Sequence, residues 1–131
     1  MRMNRTKNLP PLSDAQMEVM QEIWTRGEAT VTEVWQAVSA KRSVARNTTL
    51  TVMDRLERKG WLTKRAVANA HLYKATVNQK KTLGQIVKDL ANSAFEGAAG
   101  QMIVAMLESS KLTADELDSI SAIIEAKKKS G

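Results

Sequence analysis

Cysteine is absent from this sequence, which excludes disulfides, thiolate metal sites and thiol catalysis together and fits a reducing compartment. Histidine is nearly absent: His71 stands alone, so no second imidazole or thiol completes a zinc site or a nucleophilic pair. There is no Gly-rich phosphate loop. The carboxylate pairs Asp115 with Glu116 and Glu18 with Glu22 fall at helix starts or on solvated faces, where capping, dipole and solubility roles explain them. Met17, Met20, Met102 and Met106 sit on apolar helix faces, which favours core packing over soft-metal binding. No apolar run approaches the roughly 18 to 20 residues that span a bilayer. The basic start, Met1 to Asn8, runs into Leu9-Pro10-Pro11-Leu12 without the apolar segment of a secretion signal. These exclusions lead to the expectation of a cytoplasmic protein that is not an enzyme, uses no cofactor or metal and does not enter the membrane.

What is present is organised in two halves. The 131 residues suffice for one ordinary domain, or for a small domain with an appendage too small to close its own core. Residues 1–81 carry 15 Lys and Arg against 7 Asp and Glu, a net +8, while residues 82–131 carry 5 against 7, a net −2. A basic half attracts a polyanion, and its binding weakens with salt as counterions are released from the phosphates it neutralises.

Within the basic half, Ser13-Asp-Ala-Gln16 is a capping box that opens a helix carrying Met17, Met20, Ile23 and Trp24 at helical spacing, with Gly27 closing it. Thr30-Val-Thr-Glu33 is a second capping box, for a short helix burying Val31, Val34, Trp35 and Val38. Residues 41–46 connect it to a third helix, with Ser43 or Asn47 as the expected cap. In that third helix Leu50, Met53 and Leu56 face a core, while Asn47, Thr48, Thr51 and Arg55 keep donors and acceptors outside, and Gly60 supplies the left-handed stop. Trp61–Ala66 and His71–Val77 are expected strands, joined by the connection 67–70. Trp24, Trp35 and Trp61 are expected as core aromatics.

Two helices followed by a hairpin form a winged helix-turn-helix, in which the second helix of the pair enters the major groove and the first crosses the backbone. Asn47, Thr48, Thr51 and Arg55 are the expected contacts to bases and nearby phosphates. Arg42 and Arg46 are expected as clamps at the helix start, and Lys64, Arg65, His71 and Lys74, with Asn69 at the tip, as backbone contacts of the wing.

The second half has apolar stripes and little to cover them. Leu83, Ile86, Val87, Leu90, Ala91, Ala94 and Phe95 line one helix, and Ala98, Ala99, Met102, Ile103, Met106 and Leu107 line another. Gly97 and Gly100 mark the bend between them or allow close helix approach. Thr113-Ala-Asp-Glu116 is a third capping box, opening a last helix with Leu117, Ile120, Ile123 and Ile124. Three short amphipathic helices bury too little surface to stand alone, and the economical partner is a second copy. The expected dimerisation residues are Leu83, Ile86, Val87, Leu90, Ala94, Phe95, Met102, Ile103, Met106, Leu107, Leu117, Ile120 and Ile124.

The ordered set of Leu12 to Trp24 (LSDAQMEVMQEIW), residues 30–34 (TVTEV), residues 47–60 (NTTLTVMDRLERKG) and the terminal helices resembles the penicillinase-repressor family of bacterial regulators. The resemblance runs from about Leu12 to Lys127. It implies a homodimeric repressor of transcription that binds a palindromic operator: a mainly α protein with a basic arm at 1–11, a winged-helix DNA-binding domain at 12–78 and a helical dimerisation domain at 79–131. In the beta-lactamase branch, induction involves cleavage at an Asn-Phe bond; the matching place here carries Ala105-Met106, a departure that argues against protease-driven induction. The copper branch captures metal with C-terminal cysteines, which this chain lacks. An unidentified inducer, a sensor protease of different specificity, or constitutive repression remain. Two other classes stay open: a winged-helix module binding RNA or a protein partner, and a dimeric adaptor that does not bind DNA.

Overall fold

A computed structural model of the chain describes residues 9–130. Its elements follow in the order α1 (Asp14–Arg26), β1 (Glu28–Ala29), α2 (Val31–Ser39), α3 (Arg46–Arg58), β2 (Leu62–Val67), β3 (Ala70–Ala75), α4 (Gln79–Ala94), α5 (Ala99–Ser109) and α6 (Ala114–Ser130). The chain forms two compact units whose division falls between Ile86 and Val87, inside α4 rather than before it. Of the expected basic arm, residues 1–8 lie outside the described residues. Leu9 packs on the core, and the Pro10 carbonyl accepts the Trp61 indole N–H at 2.9 Å, so residues before Leu12, where the pattern of the sequence starts the domain, already belong to the packed first unit.

In the first unit the helix starts follow their capping boxes. Ser13 Oγ accepts the Gln16 N–H at 3.2 Å while Gln16 Oε1 accepts the Ser13 N–H at 2.9 Å, and Thr30 and Glu33 exchange the same pair of bonds at 3.2 and 2.9 Å. The start of α3 differs from expectation. Its N-cap is Ala45, with no side-chain bond, because the helix begins at Arg46; Ser43 then falls two positions too early and Asn47 already sits in the first turn. At the other end, Gly60 takes φ 92° and the Trp61 N–H reaches back to the Leu56 carbonyl at 2.9 Å, the left-handed closure that a residue with a Cβ adopts at a cost.

The wing is tighter and wider than the sequence suggests. Strands β2 and β3 pair antiparallel with Val67 opposite Ala70, which leaves only Ala68 and Asn69 in the turn instead of four residues; Ala68 accepts φ 45° to close it. A third strand, β1, joins the far edge, giving the order β1-β3-β2. Two residues are too few for any alternation to announce it.

The core of this unit gathers Val19, Met20 and Ile23 of α1, Val31, Val34 and Val38 of α2, Met53 and Leu56 of α3, and Trp61, Leu62 and Tyr73 of the wing. Trp61 is buried as expected, whereas Trp24 and Trp35 are half-buried. Their indole N–H groups nonetheless fasten the chain, Trp24 to the Val77 carbonyl at 2.9 Å and Trp35 to the Val44 carbonyl at 2.8 Å.

The second unit has scarcely any interior. Among its described residues only Ala91 and Met102 are buried. Thr113 and Glu116 form the third capping box, at 2.9 and 3.1 Å. Gly97, at φ 83°, makes the bend between α4 and α5, while Gly100 lies inside α5 and takes no part in the bend. Among the described residues no helix is long and apolar enough to cross a membrane.

Candidate nucleic-acid interface

Helix α3 presents two unlike faces. Thr49, Met53 and Leu56, spaced by four and three, are buried, and Leu50, expected among the inward residues, is only half-buried because it lies about 100° around the helix from Thr49. Asn47, Thr48, Thr51 and Arg55 are all exposed. The fold therefore holds these four outward on a helix whose back is fixed in the core. The Thr51 hydroxyl donates to the Asn47 carbonyl at 3.0 Å and keeps its lone pairs outward. Arg55 makes no ion pair among the described residues.

The three other arginine candidates are already engaged. Arg42, on the connection between α2 and α3, grips Glu18 of α1 through Nε at 3.2 Å and Nη2 at 2.8 Å, and donating to this carboxylate raises the guanidinium pKa further. Arg46 Nε donates to Thr32 Oγ1 at 3.0 Å, tying the starts of α3 and α2 together. On the wing, Arg65 donates to Glu28 of β1 at 3.0 Å. The Arg65 hydrogen bond, with the charges of Arg65 and Lys74 adding to it, holds the Glu28 carboxyl below its ordinary range despite some desolvation. Lys74 stands opposite Glu28 on the neighbouring strand.

Pairing across the sheet sorts the wing side chains by face. Lys64 pairs with Tyr73 and Ala66 with His71, so Lys64 and His71 share the face of buried Tyr73, and Arg65 and Lys74 the opposite one. Asn69 is exposed in the turn.

One constellation escapes the sequence pattern. The Tyr73 hydroxyl donates to Asp54 Oδ1 at 3.2 Å, and Lys64 Nζ lies 4.0 Å from the same oxygen. Burial, reinforced by the Asp54 charge, pushes the Tyr73 pKa up to about 12, so it stays a neutral donor. The available signal was modest: a lone tyrosine in an alternating strand, and an acid one step from Arg55 on the helix expected to read DNA.

Of the expected dimerisation residues, Leu83, Ile86, Val87 and Leu90 on α4, Ile103, Met106 and Leu107 on α5, and Leu117 and Ile124 on α6 are exposed although apolar. Ala94 is exposed, and Phe95 and Ile120 are half-buried. Met102 departs from the set, because it is buried within its own chain at 4% exposure.

The architecture has known counterparts. Residues 12–126 match the model of the penicillinase repressor family. The transcriptional regulator BlaI of Mycobacterium tuberculosis is 34% identical over 115 residues, 86% of this chain and 81% of the relative. The penicillinase repressor of Bacillus licheniformis is 25% identical over 122 residues, 93% of this chain and 95% of the relative. The solved DNA-binding domain of the repressor BlaI matches at a TM-score of 0.51 and 28% identity, over 54% of this chain and 87% of that domain. A winged helix-turn-helix with an exposed polar and basic third helix, matched over nearly its full length in this way, belongs to the penicillinase repressor family.

Proposed function

We propose that this protein is a transcriptional repressor that binds an inverted-repeat DNA operator as a homodimer and acts in the cytoplasm. The outward face of α3 carries this reading: Asn47, Thr48, Thr51 and Arg55 stand exposed on a helix anchored by Thr49, Met53 and Leu56. These side-chain types supply base-edge donors and acceptors and one cation without an acid partner. The first turn of α3 has no side-chain cap, and free N–H groups at a helix start suit a DNA phosphate. The DNA-binding domain of the BlaI repressor supports the same reading, since its fold is that of the first unit.

The dimer reading rests on the C-terminal helices, residues 79–131, which take in the whole of α4 and the second unit. Its helices expose Val87, Leu90, Ile103, Val104, Met106 and Ile123 at 48% or more of their surface. Water disfavours such a face, and a second copy covers it with a self-complementary one. Two α3 helices related by a two-fold axis enter major grooves about 34 Å apart, so half-sites lie ~10 base pairs apart or at a multiple of that. Release from DNA by an unidentified inducer, release by a protease of different specificity, and constitutive repression all remain compatible with this reading.

Selection of bound sequences from random duplex DNA by the full chain tests this. Recovery of an inverted repeat with that spacing is expected, and a half-site without symmetry, or capture of RNA in preference to duplex at equal salt, overturns it.

A further inference from the structure

We infer that Asp54 is a positioning residue for operator recognition, holding the wing to the recognition helix by joining the Tyr73 hydroxyl and the Lys64 ammonium at one carboxylate oxygen. This rests on the proposed operator binding and adds a role that the exposed face of α3 does not itself contain.

The geometry is specific. Tyr73 lies in the core at 2% exposure, its hydroxyl 3.2 Å from Asp54 Oδ1. Lys64 Nζ approaches the same oxygen from β2 at 4.0 Å, and the two side chains are about 38% exposed. Lys64 and Tyr73 are themselves paired across the hairpin, so Asp54 closes a loop of contacts through α3, β2 and β3. Asp54 precedes Arg55, and neighbours on a helix differ by about 100° in direction. Any rotation of α3 that loosens Asp54 therefore swings Arg55, Thr51 and Asn47 across the groove. An acid beside a DNA-facing surface otherwise only repels phosphates, and the two roles have opposite signs.

The experiment uses the full chain, an inverted-repeat duplex recovered by selection, and a random duplex at the same salt. Tyr73→Phe removes the donor while keeping the ring, Asp54→Asn keeps an acceptor for Tyr73 but drops the charge that holds Lys64, and Asp54→Ala removes both. Melting curves set the binding temperature below every variant's transition. Tyr73→Phe and Asp54→Asn are each expected to weaken operator binding about fivefold, near one net hydrogen bond, and Asp54→Ala roughly tenfold. Affinity for the random duplex is held in Tyr73→Phe and held or raised in the Asp54 variants, where a negative charge has gone. The pair Tyr73→Phe with Asp54→Ala binds the operator no more weakly than Asp54→Ala alone, because the two act through one contact. Operator affinity that holds or rises in the Asp54 variants overturns the inference and leaves simple repulsion. Parallel loss on both duplexes also overturns it, since specificity is then untouched. If the unmodified protein selects no inverted repeat, operator binding fails first, a result distinct from either.

Discussion

Between Val19 and Tyr73 the chain buries Met20, Ile23, Val34, Met53 and Leu56 completely, whereas from Val87 to Ser130 it buries only Ala91 and Met102 and leaves Ile103, Val104, Met106 and Ile123 about half open. Both regions are helical and rich in apolar residues, so composition does not separate them. What separates them is closure. In the first, helices and a three-stranded sheet face one centre; in the second, three amphipathic helices have stripes with nothing of their own to face. The first region thus closes as a domain and the second is the one we propose as an interface, a contrast open to direct attack.

The largest effect is expected in the closed region. Leu56→Ala leaves a cavity in the core that also holds Met53 and Trp61 and should cost about 2 to 5 kcal/mol of folding stability, read by chemical denaturation and independent of protein concentration. Ile103→Asp should do the reverse. Its site is half exposed, so the first unit should melt as before, while sedimentation shows a monomer and operator affinity falls ~10² to 10⁴-fold as the second recognition helix is lost. A first unit that melts early in Ile103→Asp would erase the distinction between domain and interface.

A smaller effect is expected at the reading face. Arg55→Ala removes an exposed guanidinium without an acid partner among the described residues, and should cost ~1 to 3 kcal/mol of discrimination at one base position if Arg55 reads a base. Equal weakening on operator and random duplex, with a shallower salt slope, would move Arg55 to the phosphate contacts.

Much of this was legible because it depends on local pattern. Three capping boxes fixed helix starts within a few residues, since two reciprocal hydrogen bonds leave an unmistakable spacing. The outward face of α3 followed from the inward one. Where the outcome depended on partners distant in sequence, pattern was insufficient. Strand β1 is two residues long and exists because β3 offers it an edge. Leu50 packs against the core but stays half-buried while its neighbour Thr49 is fully buried, a distinction that no periodicity resolves to one residue. The engagement of Arg42 by Glu18 and of Arg65 by Glu28, across 24 and 37 residues, shows that several expected phosphate contacts hold the unbound fold together as well. The same distance hid Asp54 and Tyr73.

The smallest expected effect sharpens the contrast through two acids. Glu28 ties the wing in the first region, and Glu116 caps α6 in the second; both carboxyls sit below the ordinary value of 4.5. Glu28 is lowered first by the Arg65 hydrogen bond and then by the charges of Arg65 and Lys74. Glu116 is lowered by the Thr113 backbone N–H, 2.9 Å away, and by the Thr113 hydroxyl, with no cation involved. A folded-state pKa below the unfolded one gives stability that is complete above the unfolded value and is lost as pH falls through the folded value. Acidification below 4.5 should therefore loosen both the wing and the α6 cap. Salt should tell them apart. An exposed ion pair is screened and a backbone hydrogen bond is not, so in an NMR titration raising the salt should carry Glu28 back toward its ordinary value while Glu116 stays low. Equal movement of the two would mean that the wing is held by the Arg65 hydrogen bond alone, and that its charges contribute nothing in the unbound protein.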